Sequence, residues 1–279
     1  MPGSSPELSV VIPVRNGLPF IKQALASALA DDSIDVEVVI SENFSTDGTP
    51  EWLDTLDDPR VRVVRASHPL SAAANWTNGC EQARAPWVKV LPADDFLPEG
   101  GLARQLAAAR ANPDASLIAS RRRVVSHSGR VIIGKHGMRG FVGRMPGADA
   151  VRKAVLAAEN PFGEPSSVLF KRDDLVASLP FSDDHPYLTD LAMYVKVLPH
   201  GEFVGLASVD GAFRLNNSSW SAEIGNRQYR EFRDWVDAME EQGVVEMSGW
   251  TRFIVRAKLR ANFLARRAIT TVTSLLGRR

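Results

Sequence analysis

The sequence has almost no cysteine and no excess of charge of either sign. Cys80 is the only cysteine among 279 residues, so the chain cannot form an internal disulfide, and its thiol has no neighbours at a metal-ligand spacing. Lys and Arg together number 33, as do Asp and Glu, so the formal net charge is zero. These absences argue against a disulfide-stabilised secreted domain and against a general nucleic-acid-binding protein.

Long apolar stretches are absent as well. No window reaches the roughly 20 apolar residues of a membrane-spanning helix, and the first residues have neither a basic patch nor an apolar core of signal-peptide length. We therefore expect a cytoplasmic protein in a reducing compartment. With 44% hydrophobic and 24% charged residues, the composition is that of a soluble globular chain, with room for one large α/β domain or two small ones.

Strand-like and helix-like segments alternate through the first 111 residues. Short apolar runs predict strands at 8–12, 36–40, 61–65 and 87–91, and patterns of helical spacing predict helices between them. The first strand is expected to stop at Pro13. This alternation is typical of a parallel sheet with right-handed crossovers, and we assign residues 1–112 to one half of an α/β domain.

The alternation changes after residue 112. Short strands are predicted at 117–120, 124–125, 131–133, 167–170, 203–206 and 212–215. Helices are predicted at 148–158 and after Asp190, and the glycine-rich stretch 134–147 is predicted to be a mobile loop. We assign residues 113–222 to a second half of the same domain and residues 223–279 to C-terminal amphipathic helices.

The C-terminal segment has an unusual charge. Residues 247–279 include eight basic residues and no acidic one. Apolar residues recur in this segment by threes and fours, at Trp250, Ile254, Ala257, Ala261, Leu264 and Ala268. A helix packed on the core with a solvated basic face explains this pattern, and so does a surface that binds anionic lipid.

An acidic pair follows the fourth predicted strand. Asp94 and Asp95 come shortly after the apolar run that ends at Leu91. Open α/β sheets bind ligands at the carboxyl ends of their strands. One carboxylate there can bind hydroxyls while the other holds a divalent cation against a diphosphate. A solvated turn that caps the next helix is the commoner explanation of an isolated Asp-Asp, so the other segments must support the ligand site.

Four segments, in order, resemble the family 2 glycosyltransferases of GT-A fold: Leu8 to Asn16, Ser41 to Thr49, Ala73 to Gly79, and Ala93 to Asp95. The strong part of the resemblance covers residues 8–111. It implies an α/β fold, with a Rossmann-like, mostly parallel sheet, flanking helices and a smaller acceptor-side subregion. It also implies an inverting transferase that uses a nucleoside diphosphate sugar and Mn2+ or Mg2+.

The resemblance assigns roles to individual residues. The residues expected to contact the nucleotide sugar are Pro13, Arg15, Asn16, Glu42, Asn43, Asn75, Asp94 and Arg214, and Asp95 is the expected metal ligand. Arg214, with the loop that follows it to Trp220, stands where relatives close over the diphosphate. Arg15 replaces a commonly aromatic residue and Glu42-Asn43 replaces two aspartates, so the nucleobase stays open, although a UDP-sugar is favoured.

Inverting transfer needs a carboxylate that takes the proton of the acceptor hydroxyl. The resemblance places this base at the start of a late helix, which makes Asp190 the expected base and Asp184 the reserve candidate. Asp190 also fits a simple N-cap. We expect the helix dipole to keep it ionised at neutral pH. Glu164, Ser166 and Ser167 are expected to line the acceptor side by resemblance alone.

Other function classes fit part of the pattern. A nucleotide-sugar-binding protein without catalysis is one, and a nucleotidyltransferase or Rossmann-type oxidoreductase is the other. The presence of Asp94, Asp95 and Asp190 argues against the first, and the lack of G-x-G-x-x-G after the first strand argues against the oxidoreductase. The expected partners are a nucleoside diphosphate sugar and a sugar, lipid-linked or small-molecule acceptor. Peripheral membrane contact through the C-terminal helices is a candidate, and no nucleic acid is expected.

Overall fold

The computed structural model describes residues 5–215 and 228–276, with side chains as far as Leu264. Within these residues nine strands form one sheet: β1 (Leu8–Val14), β2 (Val36–Glu42), β3 (Val61–Arg65), β4 (Trp87–Val90), β5 (Ala115–Val125), β6 (Val131–His136), β7 (Gly143–Pro146), β8 (Val168–Lys171) and β9 (Glu202–Arg214). The strand order is β3-β2-β1-β4-β8-β5-β9-β7, and β6 pairs with β5.

Helices lie between and after the strands: α1 (Phe20–Ala28), α2 (Thr49–Leu53), α3 (Ala72–Glu81), α4 (Gly101–Ala111), α5 (Gly147–Ala157), α6 (Arg172–Ser178), α7 (Thr189–Val197), α8 (Gln228–Glu241) and α9 (Gly249–Leu276). Short 3-10 helices occur at Pro165–Ser167, Pro186–Leu188 and Leu198–His200. The predicted α/β class is confirmed, with the first four strands all parallel. Strand β8 then joins β4 and β5 antiparallel, while β5 and β9 are parallel.

Strand β1 divides the hydrophobic core in two. Leu8, Val10, Ile12 and Val14 belong to one buried cluster and Val11 to the other, as expected when successive side chains point to opposite faces. The expected stop at Pro13 is wrong, because the strand continues to Val14. Proline is tolerated there because β4 pairs with β1 only as far as Val11, which leaves no ladder for Pro13 to interrupt on that side.

Two pairs of predicted short strands are single long strands. Strand β5 runs through residues 121–123, three arginines that break the apolar pattern, and its register against β9 shifts there. Strand β9 likewise runs through 207–211. The predicted loop at 134–147 is also partly wrong, since it contains the end of β6 and all of β7, which pairs with β9. Backbone pairing between distant segments decides these elements, and local composition does not reveal it.

The two C-terminal helices pack on the core that also contains α5 and α7. Phe232, Trp235 and Val236 of α8 are buried in it, and α9 contributes Val255 and Leu259. The described part of the apolar row on α9 faces outward instead: Trp250 is 70% exposed and Leu264 is 64% exposed. None of the described helices is long and apolar enough to cross a membrane.

Candidate active site

The loops after β1 and β2 are joined by hydrogen bonds at the carboxyl edge of the sheet. The backbone N–H of Asn43 donates to the carbonyl oxygen of Val14 at 3.0 Å. The backbone N–H of Asn16 donates to the hydroxyl of Ser45 at 2.8 Å, and Asn16 Oδ1 accepts from the backbone of Thr46 at 2.7 Å. The predicted nucleotide-binding residues Arg15 and Asn16 are exposed at this edge, and Pro13 is buried below them.

Glu42 and Asn43 are buried at the end of β2 and already have protein partners. Glu42 Oε1 accepts from the backbone N–H of Ser45 at 2.7 Å. The Asn43 amide donates to the carbonyl oxygen of Leu70 at 2.9 Å and accepts from its N–H at 2.8 Å. Contact between this amide and a base edge would therefore have to replace two bonds to the loop after β3.

Asn75 ties helix α3 to strand β2. Its Oδ1 accepts from the hydroxyl of Ser41 at 2.8 Å, and its Nδ2 donates to the carbonyl oxygen of the same residue at 3.2 Å. The side chain is 4% exposed. In this structure Asn75 positions the floor of the site, while direct contact with the donor remains a prediction.

The acidic pair lies in the turn after β4 and is braced by β9. Asp95 is 2% exposed, and its Oδ1 accepts from the backbone N–H of Arg214 at 2.9 Å. Its Oδ2 is buried and accepts no hydrogen bond of ordinary geometry among the described residues, although the nearby Ser166 hydroxyl lowers the pKa of the carboxyl. Burial, followed by the charge of Asp94, raises the pKa of Asp95 well above its usual range. Burial also raises the pKa of Asp94.

These carboxylates fit a hard divalent cation. The two adjacent carboxylates lie in a turn where burial raises the pKa of both acids, and a divalent cation would stabilise their charged forms in addition to Arg214. Among residues 5–215 and 228–276, no group of three or more His, Cys, Asp or Glu side chains forms a complete ligand set. A cation here would therefore need further oxygens from water or from a diphosphate.

Arg214 is almost fully buried beside the acidic turn. Its guanidinium donates to the carbonyl oxygen of Asp94 at 2.8 Å, to that of His127 at 2.8 Å and to Gln23 Oε1 at 2.5 Å. The group also lies 4.7 Å from the centroid of the Phe20 ring. The expected contact with diphosphate would have to replace bonds that Arg214 already makes. The predicted loop that follows, from Asn216 to Trp220, lies outside the described residues.

Asp190 lies in the first turn of α7, not at its N-cap, which is Leu188. Its Oδ2 accepts from Asn160 Nδ2 at 3.1 Å, and its Oδ1 accepts from the backbone N–H of Leu191 at 2.7 Å. Burial raises the pKa of Asp190 to about 7, against the lowering effect of that N–H. The expectation that the helix dipole keeps Asp190 fully ionised at neutral pH is therefore wrong, because desolvation of the carboxylate outweighs the effect of the helix terminus. The reserve candidate Asp184 is exposed and accepts from the Ser182 hydroxyl at 2.7 Å.

Glu164 connects the two acidic regions. Its charge raises the pKa of both Asp95 and Asp190, so the carboxylate lies within electrostatic reach of each. It forms an ion pair with the buried Arg122, whose Nη2 donates to Glu164 Oε1 at 3.2 Å. Sequence reasoning missed Arg122, although an arginine within a strand next to buried apolar residues is a signal of a paired charge.

The wall beside Glu164 is formed by the 3-10 helix Pro165–Ser167. Ser166 and Ser167 are fully buried, and the Ser166 hydroxyl lies close enough to Asp95 to lower the pKa of that carboxyl. The fully buried Lys89 of β4 donates to the carbonyl oxygens of Ser166 at 3.1 Å and Val168 at 2.8 Å. Lys89 was missed because a lone lysine in an apolar strand does not show its partners.

A comparison with protein families shows the family of this chain. The model described as glycosyl transferase family 2 matches residues 9–176, more than half of the chain. The chain belongs to glycosyl transferase family 2. This glycosyltransferase is 32% identical over 125 residues to the succinoglycan biosynthesis protein ExoO of Rhizobium meliloti, covering 45% of this chain and 36% of that protein.

A second relative is the GalNAc(5)-diNAcBac-PP-undecaprenol beta-1,3-glucosyltransferase of Campylobacter jejuni. It is 31% identical to this chain over 100 residues, which cover 35% of this chain and 32% of the Campylobacter protein. The match therefore spans only about a third of the length of each of these two relatives.

Solved structures share the fold. S. aureus TarS 1-349 in complex with UDP-GlcNAc has a TM-score of 0.68 at 13% identity, over 91% of this chain and 71% of that one. The mannosyltransferase PcManGT of Pyrobaculum calidifontis, in complex with GDP-Man and Mn2+, has a TM-score of 0.58 at 19% identity, over 98% and 82%. The predicted GT-A fold and the glycosyltransferase class are thus confirmed.

Proposed function

We propose that this glycosyltransferase moves a sugar from a nucleoside diphosphate sugar to an acceptor hydroxyl with inversion, and that it needs Mn2+ or Mg2+. The observation that carries the proposal is the pair of desolvated carboxyls, Asp95 and Asp190, whose pKa values are both raised by burial and by the charge of Glu164 between them in sequence. A UDP-sugar is the favoured donor because TarS, which has a similar fold, binds UDP-GlcNAc in its solved structure. GDP-mannose in PcManGT makes a GDP-sugar the alternative.

The two carboxyls have different tasks in this proposal. Asp95 holds the cation, which stabilises the leaving diphosphate when it is bound. Asp94 faces the hydroxyls of ribose or of the donor sugar. Asp190 removes the proton from the acceptor hydroxyl as that oxygen attacks the anomeric carbon, and a pKa of about 7 suits a base that works at neutral pH. Asn160 keeps the Asp190 carboxylate in place through the bond to Oδ2.

Donor hydrolysis tests this function without knowledge of the acceptor. Purified protein is incubated with UDP- and GDP-sugars, with Mn2+, with Mg2+ and with EDTA, and nucleoside diphosphate release is measured. We expect slow release from one donor class that depends on the metal. Binding of donor without any release, and without transfer to a panel of sugars, would instead favour the catalytically inactive binding protein. Formation of a nucleoside triphosphate and a sugar 1-phosphate when pyrophosphate is added would favour a nucleotidyltransferase.

We further propose that α9 docks on an anionic membrane surface, so that the enzyme works at the cytoplasmic face on a membrane-proximal acceptor. Exposed apolar residues form one row on this helix: Trp250, Phe253, Ile254, Ala257, Ala261 and Leu264. Lys258 and Arg260 flank the row at helical spacing, and Val255 and Leu259 hold the opposite face on the core. Apolar residues between basic flanks are typical of helices that lie in the interface of anionic membranes. The Campylobacter relative is named for a PP-undecaprenol substrate, which supports a lipid-linked acceptor.

Liposome sedimentation tests the docking surface. The double variant Trp250→Ala, Phe253→Ala should bind vesicles of neutral and anionic lipid at least about fivefold more weakly than the unchanged protein, because two interfacial aromatic rings are lost. The matched control Ile132→Ala, Val142→Ala removes exposed apolar side chains elsewhere and should bind normally. If the unchanged protein sediments equally with purely neutral vesicles and with anionic ones, the result would contradict the proposed role of the basic residues. If the unchanged protein forms concentration-dependent dimers and the double aromatic variant does not, the apolar row on α9 instead binds a second copy of the chain.

A further inference from the structure

Phe44 combines an unfavourable backbone with an exposed apolar ring. It follows Asn43 at the end of β2, its φ is 53°, and its side chain is 44% exposed. This left-handed region disfavours residues other than glycine, and a bulky residue there is a clear outlier. An exposed ring gains little from burial in the core, so packing does not explain why phenylalanine occupies the position. Strain of this kind clusters at ligand sites.

The residues on both sides of Phe44 are held in place. Asn43 is bonded to Val14 through its backbone and to Leu70 through its side chain. Ser45 donates its backbone N–H to Glu42 and accepts from the backbone of Asn16. The ring is therefore carried by a fixed turn at the end of β2, whose neighbour β1 ends one residue before Arg15. A flat group presented on a rigid turn is organised for stacking before any ligand binds.

We propose that the Phe44 ring is the stacking surface for the nucleobase of the donor. This inference rests on the proposed function and adds the residue that grips the base. The Asn43 amide is occupied by Leu70, so stacking is left as the main interaction that the end of β2 offers to a base. Stacking on an aromatic ring strengthens binding by roughly 5- to 150-fold per base and tolerates any base.

The variant Phe44→Gly separates this role from a structural one. Glycine adopts a φ of 53° freely, so the melting temperature should stay the same or rise by about 2–4 °C. Affinity for UDP and GDP in the presence of Mn2+, measured by calorimetry, should fall at least about fivefold. Affinity for pyrophosphate with Mn2+ should not change, because pyrophosphate has no base. Loss of a residue that only packs would lower the stability of the protein. A variant that keeps its stability but loses affinity for the base therefore supports a binding role.

Two further variants complete the test. Phe44→Tyr keeps the ring and should bind UDP and GDP like the unchanged protein. Val176→Ala removes an apolar side chain of similar exposure from α6, 40% against 44%, and should also bind normally. The inference is overturned if Phe44→Gly binds UDP and GDP with unchanged affinity, or if it loses pyrophosphate to the same degree. If the unchanged protein binds neither UDP nor GDP, the proposed function fails, and this inference fails with it.

Discussion

The pKa of Asp190, raised to about 7, predicts how the reaction depends on pH. A general base works only when it is deprotonated. With a pKa of about 7, about 9% of the Asp190 carboxylates are ionised at pH 6 and about 91% at pH 8. Turnover at saturating donor and Mn2+ should therefore rise about tenfold between these pH values, with its midpoint near 7.

Glu164→Gln should move that midpoint to lower pH. The negative charge of Glu164 raises the pKa of Asp190, and Arg122 lowers it. The substitution removes the first influence and keeps the second, while glutamine can still accept a hydrogen bond from Arg122. Asp190→Asn should lower turnover by at least ~100-fold at every pH and remove the inflection, with donor affinity almost unchanged.

The assay is continuous detection of nucleoside diphosphate release between pH 5.5 and 8.5. Asp184→Asn is the matched control, because its carboxylate is exposed and bonded to Ser182. A midpoint near the ordinary aspartate value of about 4, or a midpoint that Glu164→Gln leaves in place, would refute the reasoning about the Asp190 environment. Near-normal turnover of Asp190→Asn would remove the base from this position.

Three other substitutions test separate parts of the structure. Asp95→Asn should weaken Mn2+-dependent donor binding at least about tenfold while thermal melting stays cooperative, since the carboxylate is the proposed metal ligand; unchanged metal dependence would contradict it. Gly205→Ala should lower the free energy of unfolding by about 3 kcal/mol or more, because the new methyl group would overlap the carbonyl oxygen of Phe141. The control Gly134→Ala places its methyl group in open space and should change the free energy of unfolding by less than about 0.5 kcal/mol. Asn75→Ala removes two buried hydrogen bonds and should cost about 1–3 kcal/mol in urea unfolding.

The sequence predicts where the first four strands begin, because each is a short apolar run, but β1 and β2 extend two residues beyond their predicted ends. Strand β3 begins and ends where the pattern places it, at Val61 and Arg65. Strands β5 and β9 are predicted as fragments, since their polar middle sections are held by pairing to each other. In β5 that section contains Arg122, which is buried only because Glu164, 42 residues later, neutralises it.

The candidate site is predicted in its location and less well in its contacts. Asp94, Asp95 and Asp190 can be found from order and spacing, because each follows a recognisable element boundary. The side-chain partners of Asn43, Asn75 and Arg214 cannot, since they lie 27, 34 and up to 191 residues away in the sequence. Tertiary packing also explains the raised pKa of Asp190, because the helix terminus alone predicts a lower one.

The stereochemistry of donor hydrolysis tests the central claim most directly. In the absence of an acceptor, water takes the place of the acceptor hydroxyl beside Asp190, and the sugar released first can be observed by proton NMR before mutarotation. An inverting enzyme given a UDP-α-sugar and Mn2+ must release the β-anomer, and EDTA must stop the release. We predict that result. First release of the α-anomer would contradict the assignment of Asp190 as the base of a single inverting displacement.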